Sequence, residues 1–173
     1  MRNSFIGTKI VLAMAMTRLA YNEYRGWQLP ADENGADDGY LVEYTDGGAP
    51  NHPGRFGYIS WSPKAQFDNA YRATTGMSFG LAIEALKLGK RVSRAGWNGK
   101  GMWLLLVLGT PAAQLREGSP YHAALDLPEC EILPHIDMWT INAEVRRAML
   151  PGWLASQSDM LADDWMIVDA PAS

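Results

Sequence analysis

The run "MWLLLVLG", residues 102 to 109, constrains the fold more than any other feature of the chain. Every side chain before its closing glycine is apolar, so a strand built from it has no face suited to water. Such a strand belongs in the middle of a sheet and is expected to be covered on both sides. Just upstream, "RVSRAGW" and the loop "WNGKG" supply a second strand and an Asn-Gly turn signal, which predicts an antiparallel hairpin. Before that hairpin, "SFGLAIEALKLGKRV" predicts a helix: Ser78 can cap it, Phe79, Ala82, Ile83 and Leu86 form one apolar stripe, and Gly89 can end it.

The rest of the chain arranges itself around this centre. Thr110 to Cys130 carries Pro, Ala and Gly with weak periodicity and reads as an irregular excursion with a helical turn. "HIDMWTIN" returns as a strand, "DWMIVD" is a final one, and residues 171–173 read as a loose tail. The front of the chain holds a complete pattern of its own. Residues 8 to 16 read as a strand, and Thr17 to Gly26 as a helix with a Thr cap and a terminal Gly. The polar loop "LPADENGADDG" leads to two antiparallel strands, "YLVEYTDGG" and "GYISWSP", and then to a helix with Pro63 at its first position. The small-residue link "ATTGM" separates the two patterns. The expected class is therefore α+β: small antiparallel sheets with short packed helices, in two modules spanning 1–73 and 76–169.

Composition narrows the function classes. With 173 residues, 47% of them hydrophobic, the chain can fill its cores without disulfides. The single Cys130 has no intramolecular partner, which suits a reducing compartment, and with three scattered histidines it argues against a structural zinc site. A net charge of −4 gives no bulk attraction to nucleic acid or to anionic membranes. The apolar run from Ile10 to Met16 is too short to span a bilayer and lacks the flanks of a secretory signal, so a cytoplasmic protein is expected.

Three places concentrate aromatic and polar groups: residues 96–103, 137–140 and 151–165. In the first, the glycines let a backbone approach a partner closely, and Trp97 stands beside Asn98 and Lys100; a Trp that merely covers the sheet edge explains the same residues. In the third, Ser156 and Asp159 have the spacing of a helix N-terminus. That spacing does not account for Gln157 near Trp153, a flat ring and an amide of the kind purine recognition uses. Asp159, Asp163 and Asp164 are expected to cap and to be solvated rather than to act as paired acid and base. His52, His122 and His135 lie in Pro-flanked or loop contexts, and no Gly-x-Ser-x-Gly elbow occurs, so no catalytic residue is predicted. Asn51, His52 and Arg55 in "DGGAPNHPGRFG" resemble a functional cluster, yet the same stretch has the makings of a long hairpin loop.

Taken in order, "MSFGLAIEALKLGKRVSRAGWNGKGMWLLLV", "LPHIDMWTINAEV" and "PGWLASQSDMLADDWMIV" resemble the Thoeris anti-defense 2-like domain of phages and prophages. The motifs that carry the resemblance are Ser-Phe-Gly, Gly-Trp-Asn-Gly, Trp-x-x-Ser-Gln-x-Asp and Ala-x-Asp-Trp, over about residues 76–169. The resemblance implies small α+β proteins that assemble into homodimers and homotetramers. It implies that they sequester glycocyclic ADP-ribose made by TIR-domain proteins, some also holding cyclic dinucleotides, without degrading them. It places Phe79, Trp97, Asn98, Trp153, Ser156, Gln157 and Asp159 at a nucleotide pocket between subunits, with Trp97 and Trp153 as stacking rings. Arg94 and Lys100 are the candidates to neutralise pyrophosphate. No metal or cofactor is implied. Two features depart from compact members: the Thr110–Pro134 spacer with "INAEVRRAMLPGW", and the first 73 residues, which resemble a front module of many phage proteins with no assigned activity. An enzyme that modifies a nucleotide signal, and a structural or protein-binding module, are the competing readings.

Overall fold

The computed structural model describes residues 4, 7–97, 101–124, 131–141 and 146–169. It divides the chain into two compact units, Met1–Arg72 and Ala73–Ser173.

The first unit is a three-stranded antiparallel sheet of β1 (Val11–Ala15), β2 (Gly39–Tyr44) and β3 (Tyr58–Pro63), with β2 in the middle. Helix α1 (Arg18–Arg25) follows β1, and α2 (Lys64–Ala70) follows β3. Strand register puts Leu41, Glu43, Ile59 and Trp61 on one face, where Tyr21 and Tyr24 of α1 pack. Tyr40 and Val42 point to the other face, where Phe67 of α2 stacks on Tyr40 at 4.2 Å. Helix α1 begins and ends where local chemistry requires. The Thr17 side chain accepts from the Ala20 amide, and Gly26 takes the left-handed conformation with φ 69°. One detail differs from expectation: Pro63 is the last residue of β3, paired with Gly39, and stands just before α2 rather than inside it. Its φ of −57° suits either role, but its ψ of 145° keeps it extended.

The long loop between β2 and β3 is fastened rather than loose. Buried Glu43 accepts from the Phe56 and Gly57 amides and pairs with Arg55, which also donates to the Tyr24 hydroxyl. These amide bonds, Gly57's foremost, and the Arg55 charge hold the Glu43 carboxyl below its ordinary range despite its burial. The ring of His52 stacks on Tyr24 at 4.3 Å. The Asn51 amide bonds both the N–H and the carbonyl of Ile59, at 2.8 and 2.9 Å. Asn51, His52 and Arg55 therefore have structural work within this unit.

The second unit holds a five-stranded antiparallel sheet of order β7-β6-β5-β4-β8. Its strands are β4 (Arg91–Arg94), β5 (Trp103–Val107), β6 (His135–Ile141), β7 (Arg147–Leu150) and β8 (Trp165–Val168). Strand β5 lies at the centre, as its sequence requires. Helix α3 (Phe79–Lys87) covers one face, where Ala82, Ala85, Leu86, Val92, Leu104 and Trp165 form the core. The double cover expected for β5 is not what these strands show. Leu104 alone in β5 is fully buried, while Trp103, Leu105 and Val107 on the opposite face are half-buried. Trp103 stacks on Trp139 there at 5.6 Å, so ring-on-ring packing partly shields that face. The excursion after β5 contains a 3-10 turn (Ala112–Gln114) and the short α4 (Pro120–Ala124). Strand β7, unforeseen in the sequence, arises because "RAML" pairs with β6 as an exposed sheet edge. The four-residue helix α5 (Gln157–Met160) precedes β8. Among the described residues no helix is long and apolar enough to cross a membrane.

Candidate functional site

The link that opens the second unit pairs with its last strand. Met77 exchanges backbone hydrogen bonds with Trp165, at 2.7 and 3.1 Å, which draws the start of α3 against β8. Phe79 at the head of α3 thereby comes to lie 5.4 Å from the ring of Trp165. The indole of Trp165 is wholly buried and donates at 2.9 Å to the Asp159 carbonyl.

Two further rings complete the cluster. Trp97, at the end of the turn leaving β4, meets Trp165 edge-on at 5.4 Å and Trp153 at 6.0 Å. Trp153 meets Trp165 at 6.1 Å and Phe79 at 6.4 Å. Trp153 is fixed by its own amide, which donates to the Ile136 carbonyl at 2.7 Å. Edge-to-face contacts of this kind stabilise a cluster by roughly 0.5–1.5 kcal/mol per pair beyond area burial. They also set Trp97 and Trp153, both half-buried, at fixed angles to one another.

One carboxylate ties this cluster to the polar segment. Asp159, only 8% exposed, takes the Arg94 guanidinium at 2.8 Å and the Trp97 indole N–H at 3.1 Å on Oδ1. Its Oδ2 takes the Ser156 hydroxyl at 2.6 Å and the Ser156 amide at 3.0 Å. Ser156 in turn accepts from the Asp159 amide, so the pair forms a capping box on α5. Burial opposes ionisation of Asp159, but the bonds from Ser156, Arg94 and Trp97 outweigh it and hold the carboxyl at about 2.

Arg94 is held from a second side. Its Nε donates to Asp164 Oδ1 at 2.7 Å, while Asp164 Oδ2 accepts from the Gly96 amide at 2.7 Å. Asp164, then Asp159, raises the Arg94 guanidinium further above its ordinary value, and Arg94 lowers the Asp164 carboxyl. Asp164, expected to be a solvated carboxylate, instead clamps the turn that carries Trp97. A Cβ on Gly96 would approach Asp164 Oδ2 to 2.8 Å, so a side chain here must displace the Asp164 carboxylate from its clamp.

The structure thus brings together Phe79, Arg94, Trp97, Trp153, Ser156 and Asp159. Gln157 opens α5 with its side chain exposed. Asn98 and Lys100 lie outside the described residues. Arg94, expected to meet pyrophosphate, already has its charge matched by two carboxylates of the chain. Sequence reasoning missed Trp165 and Asp164 as members of this cluster, although both stand in the quoted Ala-x-Asp-Trp motif. Among the described residues no group of three His, Cys, Asp or Glu side chains is placed to hold a metal ion.

Residues 77–168, which run from Met77 to the end of β8, match the model of the Thoeris anti-defense 2-like domain. The chain belongs to that family. It is also 37% identical over 94 residues to the Thoeris anti-defense 2 protein of Bacillus phage SP01, covering 54% of this chain and 97% of that protein. The SP01 Thoeris anti-defense 2 protein is thus matched almost from end to end by about half of this chain. The ring cluster and its carboxylate clamps lie wholly within the Thoeris anti-defense 2-like domain.

Proposed function

We propose that this protein binds and sequesters a cyclic nucleotide immune signal and releases it chemically unaltered. Membership of the Thoeris anti-defense 2-like family supports a phage anti-Thoeris function. The single observation that carries the finer reading is the junction at Asp159, which joins the Trp97–Trp153 ring pair to the head of α5. Two rings at a set angle offer stacking surface to a base at about 1–3 kcal/mol per contact. Exposed Ser156 and Gln157 at the start of α5 offer groups for ribose hydroxyls and base edges. Glycocyclic ADP-ribose made by TIR-domain proteins is the first candidate ligand, and cyclic dinucleotides are the second. In this reading Arg94 holds the wall instead of gripping pyrophosphate, and Lys100 is the remaining candidate for that charge. The protein acts in the host cytoplasm as a homodimer or homotetramer, with no cofactor.

A sponge must hold its signal below the concentration that triggers defence, which asks for roughly nanomolar binding, about −12 kcal/mol. Rings and polar groups fixed before the ligand arrives reduce the ordering cost that such affinity must overcome. The test is to incubate the full chain with a lysate containing TIR product, filter it, heat the retained protein and weigh the released small molecules. An intact glycocyclic ADP-ribose establishes sequestration, and an altered mass makes the protein an enzyme. Absence of depletion removes this ligand and directs the assay to cyclic dinucleotides. Replacing Trp97 with Ala is expected to weaken binding by about 5- to 150-fold, the equivalent of one stacking contact.

A further inference from the structure

The two edges of the first unit's sheet are treated differently by the sequence. The Met16 amide donates to Gly39, so residues 12, 14 and 16 direct their backbone groups inward to β2. Val11, Ala13 and Ala15 therefore direct theirs outward. By the same alternation, the outward positions of β3 are Ile59, Trp61 and Pro63. The β3 edge is closed: the Asn51 amide occupies both outward groups of Ile59, and Pro63 has no N–H to offer. The β1 edge carries no such device. It reads Val-Leu-Ala-Met-Ala, without charge or proline, and no described residue pairs with its outer side. Leu12 and Met14 are 59% and 46% exposed on it. Edges left in this state are templates for another strand.

We propose that β1 pairs antiparallel with β1 of a second copy of this chain, about a two-fold axis at Ala13. The strand is self-complementary about that residue. Ala13 meets its own counterpart and Val11 meets the second copy's Ala15, each pair joined by outward backbone bonds. Leu12 meets the second copy's Met14, so apolar side chains face one another along the seam. The charges are compatible with this register: Lys9, which pairs with Asp46 of its own copy at 2.7 Å, comes opposite the second copy's Thr17, beside Arg18, whose single charge is outweighed by Glu33 and Asp37 at 2.9 and 3.3 Å. A six-stranded sheet results, with its two outermost edges both closed by Asn51. This inference does not rest on the nucleotide reading.

The test uses full-length protein with Cys130→Ser, so that introduced thiols are the only ones. Leu12→Cys and Met14→Cys chains are prepared separately and then mixed under mild oxidation. Leu12 and its counterpart's Met14 form a non-hydrogen-bonded pair, with Cα atoms about 4.5 Å apart and within disulfide reach. The mixture is expected to give a disulfide-linked dimer, and each variant alone to give none. Adding Ala13→Pro to both chains removes an outward N–H that β2 does not use, so the cross-linked band is lost while circular dichroism shows the chain still folded. Failure of the mixture to cross-link overturns self-pairing and leaves the edge to a strand of a different protein. Equal cross-linking of the single variants overturns the register and with it the proposal.

Discussion

Asp159 is the residue on which most of the second unit's polar geometry converges. Its folded-state value of about 2 lies below that of an unfolded aspartate, so its ionised bonds add stability at neutral pH. That contribution, on the order of 2 kcal/mol, is fully present above about pH 4 and is lost as pH falls through about 2. Asp159→Asn is therefore expected to lower the melting temperature at pH 7, and the gap from wild type should close between about pH 4 and pH 2. Thermal melts of both proteins across this range check it; a gap that stays constant with pH would show that the ionised carboxylate is not the cause. Two glycines offer a second comparison. A Cβ on Gly57 would run into the Tyr44 carbonyl oxygen, which is fixed in the sheet, whereas one on Gly96 meets the end of the Asp164 side chain. Gly57→Ala should cost more than about 2 kcal/mol and Gly96→Ala about 1, by denaturant unfolding.

At the scale of elements, caps separate what the sequence discloses from what it withholds. Thr17, Gly26 and the Ser156–Asp159 box were legible because a cap is made within one helical turn, and the chain writes it contiguously. Ser78 stands at a matching position, yet its side chain makes no cap bond. Ser156→Ala should thus cost about 1–2 kcal/mol, and Ser78→Ala close to nothing, in the same melts. The strands β4, β5, β6 and β8 were readable from apolar content and turn chemistry. Strand β7 was not, because three of its four residues are exposed and only pairing with β6 defines it. The Arg94 clamps were hidden for a different reason. Arg94 and Asp164 are 70 positions apart, a separation that leaves no periodic trace in either segment. The aromatic members of the site stood out as isolated tryptophans, but the bonds from Trp97 and Trp165 to Asp159 show that these two share a support.

At the scale of the whole molecule, the family match falls at residues 77–168, inside the second unit, which makes that unit the seat of the proposed binding. A chain of residues 73–173 is expected to keep the full chain's ligand affinity within about twofold, read by calorimetry, a difference of under about 0.5 kcal/mol. A larger loss would mean that the front unit contributes to the ligand. Asn51 is also a chemical clock. Asparagine amides hydrolyse slowly to carboxylates on ageing, and here the product would turn an oxygen toward the Ile59 carbonyl where an N–H once donated. The plug on β3 would then loosen, leaving one sheet with two receptive edges. A pairing that stops at two copies would become an open series, β1 to β1 and β3 to β3 in alternation, so aged stock, or fresh Asn51→Asp protein, should scatter light as growing fibres while wild type stays clear.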